Sequence, residues 1–227
     1  QKIAKGIQAI GGVASGASQS FGKTNTQVSG VDEADIVKTD GNFLYIISNN
    51  TLSVIDAGTM KLMSRTELAP SLKDCNAYMS DMFLNGNRLV VTGYEGTEND
   101  SPVPAYDYYI DCIYRLQPLN SLSVVFDITE RNNIKEVRRV TQDGELEDSR
   151  MIGTYLYTVT RYSPDYKKET EFYPKINGKE VTCDDVYVDK SKTDCSVNTV
   201  VSCYDTADKD SEVKKVSVIA DSNVVYC

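Results

Sequence analysis

Apolar and polar residues alternate along most of this chain, in short runs separated by glycine-containing turns. Three stretches can be laid over one another, "KTDGNFLYIIS", "FLNGNRLVVTG" and "RMIGTYLYTVT", each with a glycine turn followed by β-forming residues. In each unit a second strand follows and ends in aspartate: "LSVID", "LSVVFDI" and "VVSCYDT". A third strand alternates with period two: "MKLMSRTEL", "IKEVRRV" and "EVKKVSV". This pattern indicates half-buried strands, so an all-β fold is predicted.

A short strand before each glycine, "ADIVKT", "YMSDMFL" and "DSRMI", completes four strands per unit. Gly41 and Gly86 lie 45 residues apart, in the range of four-stranded propeller blades. The glycine-to-aspartate separation grows from 15 residues in the first unit to 41 and 52 in the next two. The excess predicts insertions between the second and third strands of units two and three.

We therefore predict a β-propeller with blades at about 31–70, 75–142 and 146–220, and residues 222–227 as the first strand of a fourth. Residues 25–227 form the propeller, and residues 1–24, rich in Gly, Ser and Ala, are predicted to be a flexible arm. Exposed sheet edges are a liability, so we expect a longer parent protein, or completion of the ring by another chain or fragment. A β-sandwich of short strands is the alternative fold.

Composition narrows the function classes. A net charge of −9 and a pI near 4.6 argue against a nucleic-acid partner, because phosphate contacts need clustered Lys and Arg. The absence of histidine excludes Ser-His-Asp and Cys-His catalysis within this chain. No apolar stretch approaches the roughly 20 residues of a membrane span. Because the chain starts at Gln1, we expect it to be a trimmed product.

The six cysteines lie in no CxxC pair, which disfavours a zinc site. An even number without histidine favours disulfides and an extracytoplasmic compartment. The favoured pairs are Cys183–Cys195, Cys75–Cys112 and Cys203–Cys227, although six cysteines allow 15 connectivities.

Two acidic segments are candidates for a Ca²⁺ site, since hard cations take carboxylate and carbonyl oxygens. The first holds Asp32, Glu33 and Asp35, and the second, "DTADKDSE", holds Asp205, Asp208 and Asp210. The alternative is structural: the first segment anchors the first blade, and the second is a solvated hairpin turn. No other cofactor is predicted.

The two insertions are rich in tyrosine, which suits recognition because it combines a large rigid ring with a polar tip. The candidate ligand-binding residues are Tyr94, Tyr106, Tyr108, Tyr109, Tyr114, Tyr162, Tyr166 and Tyr173. The alternative is that these tyrosines pack the insertions as extra strands that extend each blade.

The stretch "VSGVDEADIVKTDG", residues 28–41, resembles a family of bacterial secreted proteins with a C-terminal β-propeller domain distantly related to WD repeats. The resemblance continues more loosely from about residue 24 to 227. It implies export, often with an N-terminal membrane anchor or signal, and a propeller longer than this chain. It assigns no catalytic residue. Any membrane anchor would belong to a region absent from this chain.

The sequence thus predicts an exported, non-catalytic binding or interaction scaffold at the bacterial cell surface, with a protein or glycan as ligand. Two alternatives stay open. One is a surface hydrolase or lyase whose active site needs blades missing here. The other is a Ca²⁺-stabilised structural module.

Overall fold

The computed structural model describes residues 31–68, 77–96, 120–164, 172–188 and 197–220. Within these ranges the chain forms three sheets and one short 3-10 helix, Cys183–Asp185. The strands are β1 (Val31–Glu33), β2 (Val37–Thr39), β3 (Phe43–Ser48), β4 (Thr51–Asp56), β5 (Leu62–Glu67), β6 (Ala77–Asn85), β7 (Arg88–Glu95), β8 (Asn120–Asp127), β9 (Lys135–Asp143), β10 (Glu145–Ile152), β11 (Tyr155–Tyr162), β12 (Lys175–Ile176), β13 (Lys179–Glu180), β14 (Val186–Val188), β15 (Asn198–Asp205) and β16 (Lys214–Ile219).

Each sheet is built on an antiparallel meander of four strands, as the repeat predicts. Blade 1 has the order β2-β3-β4-β5. Blade 2 has β6-β7-β8-β9, extended at its outer edge by β12 and β13. Blade 3 has β10-β11-β15-β16, extended by β1 at the inner edge and by β14 at the outer edge. The predicted fourth-blade strand at 222–227 and the predicted arm at 1–24 lie outside the described residues.

The three blades repeat the same register. Counting the short strand before the glycine as the first of four, the third strand ends in the aspartate of the repeat. This aspartate pairs with the second residue after the turn glycine: Asp56 with Phe43, Asp127 with Arg88 and Asp205 with Tyr155. The next N–H donates to the carbonyl of the residue after that glycine, at 2.8 Å for Ala57 to Asn42, 3.0 Å for Ile128 to Asn87 and 2.9 Å for Thr206 to Thr154. The turn glycines Gly41, Gly86 and Gly153 have φ of 92°, 57° and 61°, a region that disfavours other residues. Positive φ explains the glycine of the repeat, and the aspartate is explained by its carboxylate, which accepts an N–H of the following turn from Thr59, Thr129 and Ala207 respectively.

Stacking of the blades explains the hydrophobic pattern. Blade 2 lies between the other two blades, and β8 is buried at every position from Ser121 to Phe126. Strands β4 and β15 alternate, with one face buried and one half-buried. The core between blades 1 and 2 includes Tyr45, Leu52, Val54, Met82, Leu89, Val124 and Phe126, and the core between blades 2 and 3 includes Phe83, Val90, Val125, Leu156, Val200 and Tyr204. A sheet covered on both faces fits stacked blades and does not fit a two-sheet sandwich.

The predicted insertions do fall between the second and third strands of blades 2 and 3. The described part of the second insertion joins two blades. Its hairpin β12–β13 pairs with β9 of blade 2 through Ile176 and Gln142, and β14 pairs in parallel with β16 of blade 3. Ile176 and Val181 are buried in the core between these blades. The described part of this insertion therefore forms extra strands on two blades, while Tyr173 within it stays exposed.

One predicted boundary is wrong. We expected the first blade to begin at residue 31, but Val31, Asp32 and Glu33 pair with Ile152, Met151 and Arg150 of blade 3. The first blade begins only at β2. The segment before it adds a strand to the inner edge of a different sheet, a pairing that its local sequence does not encode.

Candidate functional site

The acidic segment, residues 31–36, connects all three blades at their inner edges. Its strand β1 lies on blade 3, Asp35 forms an isolated bridge with Met82 of blade 2, and β2 then opens blade 1. The Asp35–Met82 bridge has two backbone hydrogen bonds, of 3.3 Å and 2.9 Å. The segment therefore ties together the strands that would otherwise be three separate inner edges.

A buried lysine occupies the position where a cation would be expected. Lys38 is 6% exposed, and its Nζ donates to Asp32 Oδ1 at 3.0 Å and to the Glu33 carbonyl at 2.5 Å. The Asp35 carboxylate accepts from the N–H of Ile36 at 2.7 Å. In the described part of the chain, no three His, Cys, Asp or Glu side chains converge as a metal site. The geometry thus favours the structural interpretation of Asp32, Glu33 and Asp35.

The second acidic segment is the turn between β15 and β16. Asp205 Oδ1 accepts from the N–H of Ala207 at 2.9 Å, and Asp208 Oδ1 accepts from the N–H of Asp210 at 3.0 Å. These are local turn bonds of the kind that aspartate makes with its own backbone. Arg138 of blade 2 donates to the Asp208 carbonyl at 3.0 Å, so the turn is held from the neighbouring blade.

The ends of the blades differ in what they expose. We call the end where β7 and β11 end and β8 and β15 begin the insertion end, because both insertions leave there. The opposite end, which carries Gly41, Gly86 and Gly153, is the glycine-turn end. An aromatic surface lies at the insertion end, and a polar pocket lies at the glycine-turn end.

Two pairs of exposed aromatic rings lie at the insertion end of blade 2. Tyr78 and Tyr94 are cross-strand neighbours on β6 and β7, are 48% and 37% exposed, and have ring centroids 5.4 Å apart. Phe172 and Tyr173 are 45% and 37% exposed and meet edge to face at 5.2 Å. The N–H of Lys175 donates to Asp143 Oδ2 at 2.9 Å, which fixes this second pair beside the end of β9. We call Tyr78, Tyr94, Phe172 and Tyr173 the aromatic row.

Phe172 and Tyr173 precede β12, and β12 lies three strand spacings from β7, about 14 Å, since neighbouring strands lie roughly 4.8 Å apart. Glu95 is half-buried next to Tyr94, and burial raises the pKa of its carboxyl against the opposing effect of Arg139. Because consecutive residues of a strand point to opposite faces, the insertion end of blade 2 carries the Tyr94 ring on one face and this half-buried carboxyl on the other.

The predicted tyrosines are only partly brought together. Tyr94 and Tyr173 both lie in the aromatic row. Tyr162 is a wrong prediction, because its side chain is 8% exposed and packs in the core between blades 2 and 3. The other candidates, Tyr106, Tyr108, Tyr109, Tyr114 and Tyr166, lie outside the described residues. Tyr78 and Phe172 were not predicted, because Tyr78 lies on a regular strand outside the insertions and Phe172 is not a tyrosine.

The predicted disulfides stay predictions. Cys183 is exposed and Cys203 is half-buried, and both are free thiols in the structure. Their predicted partners, Cys195 and Cys227, lie outside the described residues, as does the pair Cys75–Cys112. Burial raises the pKa of the Cys203 thiol, against the hydrogen bond to Tyr157, so it is a weak nucleophile.

At the glycine-turn end, a polar pocket of about 370 Å³ opens between blades 2 and 3. Its lining is Asn85, Asn87, Arg88, Asp127, Thr129, Thr154, Thr206 and Ala207. Arg88 Nη1 lies 2.7 Å from Asp127 Oδ2, and both side chains are about one-third exposed. Hydrogen bonds from the Thr129 hydroxyl and N–H, and then from Arg88, lower the pKa of Asp127 to about 2. The repeats in the sequence do not predict this pocket, because its lining residues come from two adjacent blades.

Comparison with known proteins places the architecture in a family. A family model described as "Beta propeller domain" matches residues 21–227. The chain is 26% identical over 170 residues to an uncharacterized protein of Archaeoglobus fulgidus, over 74% of this chain and 24% of that protein. It thus spans about a quarter of that relative's length. No solved structure matches the chain. In the described residues, no helix is long and apolar enough to cross a membrane. Three registered four-stranded blades and the matching family model show that the chain belongs to the β-propeller domain family.

Proposed function

We propose that this protein is an exported, non-catalytic binding scaffold at the bacterial cell surface, and that its insertion end contacts the ligand. The observation that carries the proposal is the aromatic row. Four exposed rings stand at one end of one blade, and two of them belong to regular strands. Exposed tyrosines on a rigid frame are the usual anchors of recognition surfaces.

The length of the row suggests the kind of ligand. About 14 Å corresponds to roughly four residues of extended polypeptide at about 3.3 Å each. A polymer that lies along the end of blade 2, protein or glycan, would contact both ring pairs at once. Contact with two separated pairs multiplies affinity beyond that of either pair, as in other multivalent binding.

The chemistry of the described residues supports binding over catalysis. The most perturbed groups are accounted for by packing. Burial raises the pKa of Tyr204 to about 12, beside its hydrogen bond to Ser123, and the raised pKa of Tyr45 has burial and Asp40 as its causes. Neither tyrosine is exposed to a ligand. Export and the bacterial secreted family are part of the same proposal, supported by the resemblance of residues 28–41.

The test is binding of the labelled chain to whole cells and purified cell walls of its source organism. We expect saturable binding that falls at least about tenfold when Tyr78 and Tyr94 are both replaced by alanine, since losing a hot-spot ring typically costs about 2 kcal/mol. Tyr155→Ala is the matched control, because Tyr155 is 43% exposed but follows the glycine turn at the opposite end.

Treatment of the cells identifies the class of ligand. Loss of binding after protease indicates a protein, and loss after periodate oxidation indicates a glycan. An absence of saturable binding to cells and walls would contradict the proposal. So would equal binding by the double variant and the wild type.

A further inference from the structure

The interface between blades 1 and 2 and the interface between blades 2 and 3, which we call the two seams, can be compared position by position, because the strand register repeats from blade to blade. In the seam between blades 1 and 2, a guanidinium fills the glycine-turn end. Arg131 Nη2 lies 3.1 Å from Asp40 Oδ2, its Cζ lies 5.5 Å above the Phe43 ring, and its Nη1 donates to the Asn87 amide oxygen at 3.3 Å. Arg131 is the fourth residue after Asp127.

The seam between blades 2 and 3 has different residues at the matching positions. Asp40 is replaced by Asn85, and Phe43 by Arg88. The fourth residue after Asp205 is Lys209, which is exposed. Arg138 binds the same turn from the outer strand of blade 2, at 3.0 Å to the Asp208 carbonyl. No described side chain does here what Arg131 does in the first seam, and the pocket of about 370 Å³ remains.

The walls of this pocket are fixed by bonds of their own. Asn85 Nδ2 donates to the Gly153 carbonyl of blade 3 at 2.6 Å. The hydroxyl of Thr206 donates to the Thr154 carbonyl at 2.8 Å, and the N–H of Thr129 donates to Asp127 Oδ1 at 2.8 Å. The pocket is therefore preformed, which lowers the entropic cost of binding.

The lining selects a neutral ligand that both donates and accepts hydrogen bonds. Arg88 and Asp127 neutralise each other: Arg88 Nη1 lies 2.7 Å from Asp127 Oδ2, in a guanidinium that carries five N–H donors. Amide and hydroxyl side chains offer donors and acceptors together. The net charge of −9 disfavours a free anion at long range. Adjacent hydroxyl groups match the paired donors and acceptors of an arginine–aspartate pair.

We propose that the pocket between blades 2 and 3 binds a neutral sugar unit through adjacent hydroxyl groups held by Arg88 and Asp127. This site lies at the end opposite the aromatic row and does not depend on it. A pocket of this volume lies in the range of small-ligand sites.

The test is a titration of the ¹⁵N-labelled chain with glucose, galactose and mannose, followed by amide shifts in two-dimensional NMR. We expect saturable shifts concentrated at Asn87, Thr129, Thr154 and Thr206. Arg88→Ala should weaken the binding at least about tenfold, because charged hydrogen bonds are lost. Arg65→Ala is the control, since Arg65 is exposed on blade 1 away from this seam.

A second variant keeps the test decisive if Arg88→Ala does not fold. The triple variant N85D/R88F/K209R copies the filled seam of blades 1 and 2 and should fold while losing sugar binding. Three results would overturn the proposal: no saturable shift with any of the sugars, shifts spread away from the pocket, or sugar binding retained in the triple variant. Tighter binding of inorganic phosphate or acetate at the same amides would replace the sugar by an anion and would also overturn it.

Discussion

Replacing Lys38 by methionine tests whether the acidic segment is a structural anchor. The side chain is 5% exposed and binds Asp32 and the Glu33 carbonyl, while methionine keeps the apolar stem. A hydrogen bond to a charged group contributes about 1.5–3 kcal/mol, but Asp32 is 30% exposed and regains water. We therefore expect a loss of about 2 kcal/mol of unfolding free energy. For a chain of this size that corresponds to about 4–8 °C in Tm.

The assay is urea and thermal unfolding followed by circular dichroism, with and without Ca²⁺. Lys179→Met is the matched control, because Lys179 is exposed on β13 and should change stability by at most about 0.5 kcal/mol. An unchanged unfolding midpoint for Lys38→Met would refute the interpretation of the acidic segment as a structural anchor. So would a Ca²⁺-dependent rise in Tm of the wild type that Asp32→Asn or Asp35→Ala abolishes, since this is the behaviour of a metal site.

Three further perturbations follow from the geometry. Gly93→Ala should cost about 3 kcal/mol in urea unfolding, because its Cβ would lie 2.0 Å from the Tyr78 carbonyl oxygen. Burial raises the pKa of Tyr204 to about 12 from 10.0, so its contribution to stability is complete below pH 10 and is lost as pH rises towards 12 in alkaline unfolding. Hydrogen bonds from Thr129 lower the pKa of Asp127 to about 2 from 3.8, so its contribution is complete above about pH 4 and is lost as pH falls towards 2 in acid unfolding.

Each of these has its own control. Gly58→Ala should be nearly neutral, because its Cβ would meet nothing closer than 3.5 Å. Equal costs at Gly93 and Gly58 would argue against the close approach of β6 and β7. In a plot of unfolding free energy against pH, Tyr204→Phe should reduce the fall in stability between pH 10 and about 12. Asp127→Asn should reduce the fall in stability between about pH 4 and 2. If the variants lose stability at alkaline and acid pH as the wild type does, other groups control the pH dependence.

The strands were predictable because the repeat carries physical constraints that are local. A turn glycine with positive φ and a strand-ending aspartate recur in each unit, and each meets a local need: the glycine permits its turn, and the aspartate carboxylate accepts an N–H of the turn that follows it. The buried position of Tyr162 was also predictable from the local sequence. It lies at even spacing from Leu156 along β11, so period-2 alternation puts both side chains on the buried face. The prediction that Tyr162 binds a ligand rested only on its place in an insertion, and strand alternation is the stronger signal.

Contacts between blades could not be predicted in the same way. The pairing of β1 with β10 joins residues more than 100 apart in sequence, and it exists only once three blades are stacked. Arg131 and Arg138 are ordinary surface arginines in the sequence, yet each binds a neighbouring blade. The pocket between blades 2 and 3 depends on which space each of these arginines fills, and that is decided only by the packing of the folded blades.

The most direct test of the binding account is hydrogen–deuterium exchange of the chain alone and when bound to cell walls. The account predicts slowed exchange at residues 77–79, 93–96, 141–143 and 172–176, which form the insertion end of blade 2. Slowed exchange confined to the glycine turns, or unchanged exchange on a cell wall that binds the chain, would contradict the claim that this end contacts the ligand.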